Sequence, residues 1–250
     1  MLVTTDHGSI RELQLNRPPV NALTAELMQT LRQAIESAPQ QGTQAIVLSG
    51  SPNRFSAGLD FPLLLSSDQA GITSLWRSLY ALLASLARSP IPIVAAITGH
   101  APAGGTVLAL YCDWRVMAQG DFKIGVNEVH VGIPLPPVIL ATLRRQVGAR
   151  RAEWLAATGV LLSPQQALDA GLIDELVPAE SLRTRAIDWC HELLRVPAEA
   201  MTVTRREARS DLVALFDEDL EGELLEMIEA WWDPRTQEAL RTAAERLKKR

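Results

Sequence analysis

One glycine-rich turn in this chain has the residue types and spacing to bind a negative charge. The turn runs from Gly99 to Gly105 (GHAPAGG), between an apolar run at 93–97 and an apolar segment at 106–112 that is long enough for a helix. A strand, a small-residue turn and a helix start leave backbone N–H groups free at the positive end of the helix dipole. This arrangement is typical of a site for an anion or a developing oxyanion.

A single glutamate, Glu128, follows this turn in a run that is otherwise apolar or small. A carboxylate acts best as a general base when an apolar surrounding raises its pKa towards neutrality. The neighbours that would supply this surrounding are Ile124, Val126, Val129, Val131 and Ile133. We interpret Glu128 as a candidate base, and the alternative is a surface glutamate at the end of a strand.

Composition limits the class of protein. The 250 residues are 47% hydrophobic and 21% charged, which fits one large domain or a domain with an appended helical piece. The net charge of −5 argues against nucleic acid as a partner, although residues 241–250 hold five cations and one anion. The two cysteines and four histidines lack the spacing of a disulfide scaffold or a metal site.

The N-terminus resembles neither a secretory signal nor a transit peptide, and no apolar run is long enough to span a membrane. We therefore expect a soluble, cytoplasmic protein that contacts no membrane and needs no metal or redox cofactor.

Hydrophobic periodicity predicts strands that alternate with helices over the first two-thirds of the chain, and helices alone after that. Strands are predicted at 2–5, 10–15, 45–49, 93–97 and 172–177. Helices are predicted at 24–37, 72–88, 106–112, 138–147, 148–157, 164–170, 179–195 and 198–208, then from about 217 to Pro234 and over 236–249, with a mobile loop at 63–71. This order favours a parallel α/β core over residues 1–195 and a C-terminal helical region over residues 196–250.

Five stretches, taken together and in order, resemble the enoyl-CoA hydratase/isomerase (crotonase) superfamily. They are Asn21 to Leu23 (NAL), Phe55 to Asp60 (FSAGLD), the Gly99 to Gly105 turn, Cys112 to Arg115 (CDWR), and Ala167 to Asp174 (ALDAGLID). The resemblance implies a crotonase (ClpP-like) fold of ββα spiral turns, an acyl-CoA thioester as substrate, and a homotrimer or dimer of trimers. Pro102 to Gly105 and Gly125 to Ile133 resemble the Δ3,Δ2-enoyl-CoA isomerase branch in particular.

The resemblance also assigns the reacting groups. It implies an oxyanion hole made by the backbone N–H groups of Leu59 and Gly104, and Glu128 as the base that takes a proton from C2 and returns it to C4. Hydratases of this family carry a second glutamate at the position of Val107, so the apolar residue here favours double-bond migration over hydration. The alternatives are another crotonase reaction, such as hydration or thioester hydrolysis, and a catalytically silent member that serves as a binding or scaffold protein.

The remaining candidate residues come from the resemblance and from their positions near the quoted stretches or in the C-terminal region. Predicted substrate contacts are Arg54, Ser56, Ala57, Gly58, Asp60, Leu64, Pro102, Ala103, Gly105, Asn127 and Ile133. Arg54, Lys248 and Lys249 are candidates for the CoA phosphates, and parts of 61–65 and 75–83 are expected to border the acyl channel. Asn127 either orients Glu128 or caps a turn. His130 either shares a face with Glu128 on an extended segment or is a satisfied histidine at a sheet edge. Asp60 and Asp113 are interpreted as structural, and Trp231 and Trp232 as part of a buried subunit contact.

Overall fold

The computed structural model describes residues 1–217 and 220–248, and it contains helices and two sheets whose strand pairs are all parallel except one. The strands are β1 (Leu2–His7), β2 (Ile10–Leu15), β3 (Ala45–Ser49), β4 (Asn53–Arg54), β5 (Ile93–Ile97), β6 (Gly99–Pro102), β7 (Trp114–Ala118), β8 (Ile124–Gly125) and β9 (Glu175–Val177). The helices are α1 (Ala25–Ser37), α2 (Phe61–Leu65), α3 (Gln69–Arg88), α4 (Gly104–Leu110), α5 (Pro137–Val147), α6 (Ala149–Thr158), α7 (Pro164–Asp169), α8 (Leu182–Leu194), α9 (Ala198–Ala208), α10 (Ser210–Ala214), α11 (Glu221–Trp232) and α12 (Pro234–Lys248).

The larger sheet has the strand order β1-β2-β3-β5-β7-β9. β1 pairs antiparallel with β2, and every other pair in this sheet is parallel. All residues of β3 and β5 are buried, which explains why both strands read as continuous apolar runs rather than as alternating patterns. The prediction of a parallel α/β core is therefore confirmed.

The smaller sheet, β4-β6-β8, is also parallel, and it is built by a repeat in the chain. Three times, a strand of the larger sheet is followed by a short strand of the smaller one: β3 by β4, β5 by β6, and β7 by β8. Because parallel strands end at the same edge of a sheet, the segments after β4, β6 and β8 are brought together. These segments carry Leu59, Gly104 and Glu128.

The apolar stripe of α3 packs against α1, and α8 packs against β5 and β7. The five leucines that helical spacing places inward on α3 are all buried: Leu75, Leu79, Leu82, Leu83 and Leu86. Among the described residues after β9, all regular structure is helical.

The prediction of a loop over 63–71 is wrong, because α2 begins at Phe61 and α3 begins at Gln69. Two aspartates start these helices: the Asp60 side chain accepts from the Leu63 N–H at 3.1 Å, and Asp68 accepts from the Gly71 N–H at 2.9 Å. Each cap satisfies a backbone donor that would otherwise be free at a helix start.

Two expectations for the C-terminal region also need correction. The helix predicted from about 217 begins only at Glu221, and residues 218 and 219 lie outside the described part of the chain. Trp231 is 2% exposed in the single chain, so it packs inside the protomer and is not free for a subunit contact. Trp232 is 42% exposed and remains available for one.

Asp113 ties the sheet to the C-terminal helices. Its carboxylate accepts from the Ile93 N–H at 2.8 Å, from Arg205 Nε at 2.7 Å and from one Arg209 terminal nitrogen at 3.2 Å. Burial acts to raise the pKa of Asp113, but the guanidinium groups of Arg209 and Arg205 hold it below its ordinary value. The structural interpretation of Asp113 agrees with these contacts.

We expect Asp113→Ala to lower the free energy of unfolding by about 3–5 kcal/mol, because it leaves two buried guanidinium groups without their shared carboxylate. Chemical denaturation of the variant and the wild type measures this difference. Asp121→Ala is the control, since Asp121 is exposed and its loss should change stability by less than about 0.5 kcal/mol. A change below about 1 kcal/mol for Asp113→Ala would contradict the expected role.

Candidate active site

The turns after β4 and β6 meet at two glycines. A β carbon on Gly58 would lie 2.9 Å from the Gly104 nitrogen, and one on Gly104 would lie 3.1 Å from Gly58 Cα. A side chain at either position would therefore push the two turns apart. Gly58 also has a φ of +82°, which glycine adopts without steric penalty. This close approach places Leu59 beside Gly104.

Both backbone N–H groups assigned to the oxyanion hole are free of hydrogen bonds within residues 1–217 and 220–248. Leu59 bridges to Leu23 through its neighbours: the Leu23 N–H donates to the Gly58 carbonyl at 2.7 Å, and the Asp60 N–H donates to the Leu23 carbonyl at 3.1 Å. The Leu59 N–H takes no part in this bridge. Gly104 is the first residue of α4, where a backbone N–H has no partner inside the helix.

The residue before Gly104 has a strained backbone. Ala103 has φ 48° and ψ −123°, a conformation that residues with a side chain rarely adopt. Its N–H donates to the Gly125 carbonyl at 2.8 Å, which fixes the turn against β8. Strain of this kind persists where the surrounding structure holds the chain in place, and it is common at functional sites.

Leu59 and Gly104, which carry these two N–H groups, both line one pocket. Six predicted site residues line it: Leu59, Ala103, Gly104, Asn127, Glu128 and Ile133. The rest of the wall is apolar or aromatic and comes from several helices and from the segment after β8: Phe61, Trp76, Leu79, Val107, Val131, Pro136 and Ile139. The fold therefore brings the predicted base and both predicted N–H donors to one apolar cavity.

Glu128 lies in a short 3-10 helix, Glu128–Val131, rather than in an extended segment. Its Oε2 atom is buried and has no hydrogen-bond partner in the described part of the chain. Burial raises the pKa of Glu128 to about 7 from an ordinary value of 4.5, although its own backbone N–H acts in the opposite direction. A carboxyl group in this state gains and loses a proton near neutral pH.

The raised pKa of Glu128 predicts a pH-dependent stability. The folded state binds this proton more tightly than the unfolded state does, so the stabilisation is complete below pH 4.5 and is lost as the pH rises to about 7. Relative to Glu128→Gln, the free energy of unfolding of the wild type should fall by about 3 kcal/mol across that window.

Chemical denaturation of both proteins at a series of pH values measures this difference. Because the other titrating groups are present in both proteins, their contributions cancel and the difference reports on Glu128. Glu153→Gln is the control, since Glu153 is exposed on α6 and its substitution should change the free energy of unfolding by less than about 0.5 kcal/mol. A difference between wild type and Glu128→Gln that does not vary with pH would contradict the raised pKa of Glu128.

Comparison with known proteins decides the family. The family model described as enoyl-CoA hydratase/isomerase matches residues 5–248. The chain belongs to the enoyl-CoA hydratase/isomerase family. Members of this family act on acyl-CoA thioesters, so the predicted class of substrate is confirmed.

Relatives of this family member include proteins named as isomerases and as hydratases. Human enoyl-CoA delta isomerase 1, mitochondrial, is 32% identical over 230 residues, which cover 89% of this chain and 76% of the human protein. A probable enoyl-CoA hydratase of Mycobacterium avium is 34% identical over 197 residues, which cover 77% of this chain and 75% of that protein. The crystal structure of human mitochondrial delta3-delta2-enoyl-CoA isomerase has a TM-score of 0.95 at 28% identity, covering 99% of this chain and 98% of that one. The crotonase fold is confirmed.

The other predicted contact residues of this family member lie outside the pocket wall, and their contact with substrate stays a prediction. Ser56 Oγ donates to the Asn21 carbonyl at 2.8 Å and accepts from the Gly58 N–H at 3.2 Å, so it holds the first turn together. A β carbon on Gly105 would lie 2.4 Å from the Ser56 carbonyl oxygen, so a residue with a side chain would not fit at this position. The Asp60 carboxylate, besides capping α2, lies 2.7 Å from an Arg17 nitrogen.

The remaining predicted contact residues differ in how buried they are and in which element they belong to. Leu64 is buried in the core, Pro102 ends β6, Ala57 is half-buried, and Arg54 is exposed on β4. The side chain of Lys248 and the whole of Lys249 lie outside the described residues.

Of the two polar neighbours of Glu128, Asn127 differs from both of its sequence interpretations, and His130 agrees with one of its two. Asn127 makes neither the hydrogen bond to Glu128 nor the turn cap, and its Oδ1 atom is buried without a partner in the chain as described. His130 Nε2 lies 2.8 Å from the Thr158 carbonyl oxygen, so it is a satisfied histidine. It does not share a face with Glu128 on an extended segment, because that segment is helical.

Residues that could hold a metal, or that could form a membrane span, are not found in the described ranges. No group of three or more His, Cys, Asp or Glu side chains is placed to bind a metal ion there. No helix in the same part of the chain is long and apolar enough to cross a membrane.

Proposed function

We propose that this family member is an enoyl-CoA isomerase of fatty-acid oxidation, which moves a double bond from 3-enoyl-CoA to trans-2-enoyl-CoA. The observation that carries the proposal is a single carboxylate in the same pocket wall as two residues whose backbone N–H groups are unpaired. Glu128 is the sole Asp or Glu among the described residues that line the pocket, and Leu59 and Gly104 line it too.

In the proposed reaction, the ionised Glu128 takes a proton from C2 of the acyl chain. The electron pair moves onto the thioester oxygen, which becomes a dienolate oxyanion and accepts hydrogen bonds from the Leu59 and Gly104 N–H groups. The protonated Glu128 then gives its proton to C4, the thioester carbonyl re-forms, and the double bond lies between C2 and C3. No atom is gained or lost.

The environment of Glu128 suits both halves of this shuttle. A pKa of about 7 makes the carboxylate a stronger base than an ordinary glutamate, and it leaves the protonated form acidic enough to return the proton. The apolar wall excludes water, which would otherwise exchange with the proton held on the carboxyl group.

Hydration is the second candidate, because one of the relatives is named a probable hydratase. Water addition needs one group to activate the water and another to protonate the carbon. Val107, which is 1% exposed and lines the pocket, stands where the resemblance assigns the second glutamate to hydratases. The apolar side chain at this position supports migration over hydration.

Incubation of the wild type with 3-enoyl-CoA and, separately, with 2-enoyl-CoA tests the proposed function. We expect 2-enoyl-CoA to form from the first substrate, and no 3-hydroxyacyl-CoA to form from the second. Water addition to 2-enoyl-CoA without migration in 3-enoyl-CoA would overturn the proposal in favour of a hydratase.

Assembly and location stay proposals for this chain. We propose a homotrimer or a dimer of trimers, which sedimentation of the purified protein tests directly. The human relative is mitochondrial by its name, whereas a cytoplasmic location is the prediction for this chain.

A further inference from the structure

The segment that carries the proposed base, residues 128–133, lies beyond the end of the smaller sheet. β8 ends at Gly125, so pairing between strands does not fix the residues that follow it. A catalytic group must be held to within about 0.5 Å of its productive position. Contacts with other parts of the chain must therefore hold this segment.

One anchor of the segment is the end of α6. His130 Nε2 lies 2.8 Å from the Thr158 carbonyl oxygen, and a β carbon on Gly159 would lie 2.8 Å from Val129 Cγ2. These contacts hold the middle of the segment, and they involve neither Glu128 nor the end of the segment at residues 132–133.

The second anchor is α12, which packs on the 3-10 helix of this segment. Thr236 Oγ1 donates to the Gly132 carbonyl at 3.1 Å, and Thr236 is only 7% exposed. The helix and the segment are in close contact here, since a β carbon on Gly132 would lie 3.3 Å from Thr236 Cα. The Thr236 hydroxyl therefore makes its hydrogen bond in a part of the protein that is shielded from water.

The peptide group between Gly132 and Ile133 links this hydroxyl to Glu128. Its carbonyl oxygen accepts from Thr236, and its N–H, which belongs to Ile133, donates to the Glu128 carbonyl at 3.2 Å. Two hydrogen bonds through one peptide group thus join the Thr236 side chain to the backbone of the proposed base. A hydrogen bond on one side of a peptide group polarises it, which strengthens the bond on the other side.

We propose that Thr236 is a positioning residue, whose hydroxyl holds Glu128 in place through the peptide group between Gly132 and Ile133. No described residue of α12 lines the pocket, so this helix contributes to the site only through the segment that it holds. The inference rests on the proposed function in one respect, that Glu128 is the base. The way in which Glu128 is held can be measured without any reaction.

Thr236→Val tests the inference, because valine keeps the shape of the side chain and removes the hydroxyl. We expect kcat for 3-enoyl-CoA to fall about 10-fold, in line with the loss of one hydrogen bond, and KM to change by less than about threefold. Thr236→Ser keeps the hydroxyl and should stay within about threefold of the wild-type kcat. Thr242→Val is the matched control, since Thr242 is exposed further along α12, and it should keep the wild-type kcat and KM.

The titration of Glu128 gives a second measurement, which needs no turnover. Carbon NMR of protein labelled in its glutamate side chains follows the carboxyl signal, and the absence of this signal in Glu128→Gln assigns it. A loosened segment admits water to the carboxyl group. The pKa of Glu128 in Thr236→Val should therefore fall from about 7 towards its ordinary value of 4.5, and Thr236→Ser should keep the wild-type titration.

A Glu128 titration in Thr236→Val that matches the wild type would overturn the inference, and so would a Thr236→Ser variant that loses as much rate as Thr236→Val. If the titration moves but the wild type does not convert 3-enoyl-CoA, the proposed reaction fails and the role of Thr236 stands. If the wild type converts 3-enoyl-CoA and the titration does not move, the reaction stands and the role of Thr236 fails.

Discussion

Glu128→Gln should lower kcat for conversion of 3-enoyl-CoA to 2-enoyl-CoA by about 10⁴-fold. A positioned general base typically contributes 10²- to 10⁴-fold, and we expect the upper end because one carboxyl group serves both proton transfers. The amide keeps nearly the same shape but cannot accept the C2 proton. The affinity for a saturated acyl-CoA should change by less than about threefold, because the pocket wall is intact.

Rate measurement on the purified variant, with calorimetric binding of a saturated acyl-CoA alongside, separates chemistry from binding. Glu153→Gln, on the exposed face of α6, is the matched control and should keep the wild-type rate. A kcat for Glu128→Gln within tenfold of the wild type would show that another group moves the proton. No turnover of any substrate by the wild type, with acyl-CoA binding retained, would instead favour the silent binding protein.

Gly104→Ala should lower kcat by at least about 10²-fold, the loss typical of removing one oxyanion-hole donor. The new β carbon would lie 3.0 Å from Leu23 Cδ1 and 3.1 Å from Gly58 Cα, so the two turns must separate. Separation moves the Gly104 N–H away from its partner donor at Leu59. The effect should fall on kcat more than on KM, since these hydrogen bonds strengthen as charge develops on the thioester oxygen.

Gly222→Ala is the control for this substitution, because a β carbon at Gly222 on α11 would meet no atom within 4 Å. This variant should keep the wild-type rate. Melting temperatures of both variants show whether Gly104→Ala is folded. An unchanged kcat in a folded Gly104→Ala would contradict the role of this N–H group.

Much of the scaffold could be predicted because each element has a local signal. The buried strands at 45–49 and 93–97 read as apolar runs, and α1 has its N-cap at Thr24, whose side chain accepts from the Leu27 N–H at 3.2 Å. The error at 63–71 has a local cause as well. The capping aspartates Asp60 and Asp68 both mark helix starts, and the apolar pattern there is too short to show periodicity.

The candidate site was predictable in its parts and not in its assembly. The close approach of Gly58 and Gly104 depends on parallel pairing of β4 with β6. These strands are too short for a local sequence pattern to predict that pairing. The assignment of Leu59 came from the family resemblance alone. Pro136 and Ile139 were missed as pocket residues, because an apolar helix position that lines a cavity looks like any other core position.

The conformation of the segment that carries Glu128 is a second feature that the sequence could not predict. Alternation of apolar and polar residues around Glu128 suits an extended strand, yet the chain forms a 3-10 helix that ends at Gly132 with φ 77°. Of the sequence neighbours predicted to surround Glu128, Val131 and Ile133 line the pocket, and the rest of the apolar wall comes from other elements, including Phe61 and Leu79. The local prediction therefore accounts for part of the apolar surrounding, and tertiary packing supplies the remainder.

The fate of the C2 proton tests the central claim most directly. The wild type is incubated with 3-enoyl-CoA that carries deuterium at C2, and the product is analysed by NMR. If Glu128 shuttles the proton in a dry pocket, the product is 2-enoyl-CoA with part of the deuterium at C4. A 3-hydroxyacyl-CoA product would contradict double-bond migration, and 2-enoyl-CoA without deuterium at C4 would contradict direct return of the proton by a carboxyl group shielded from water.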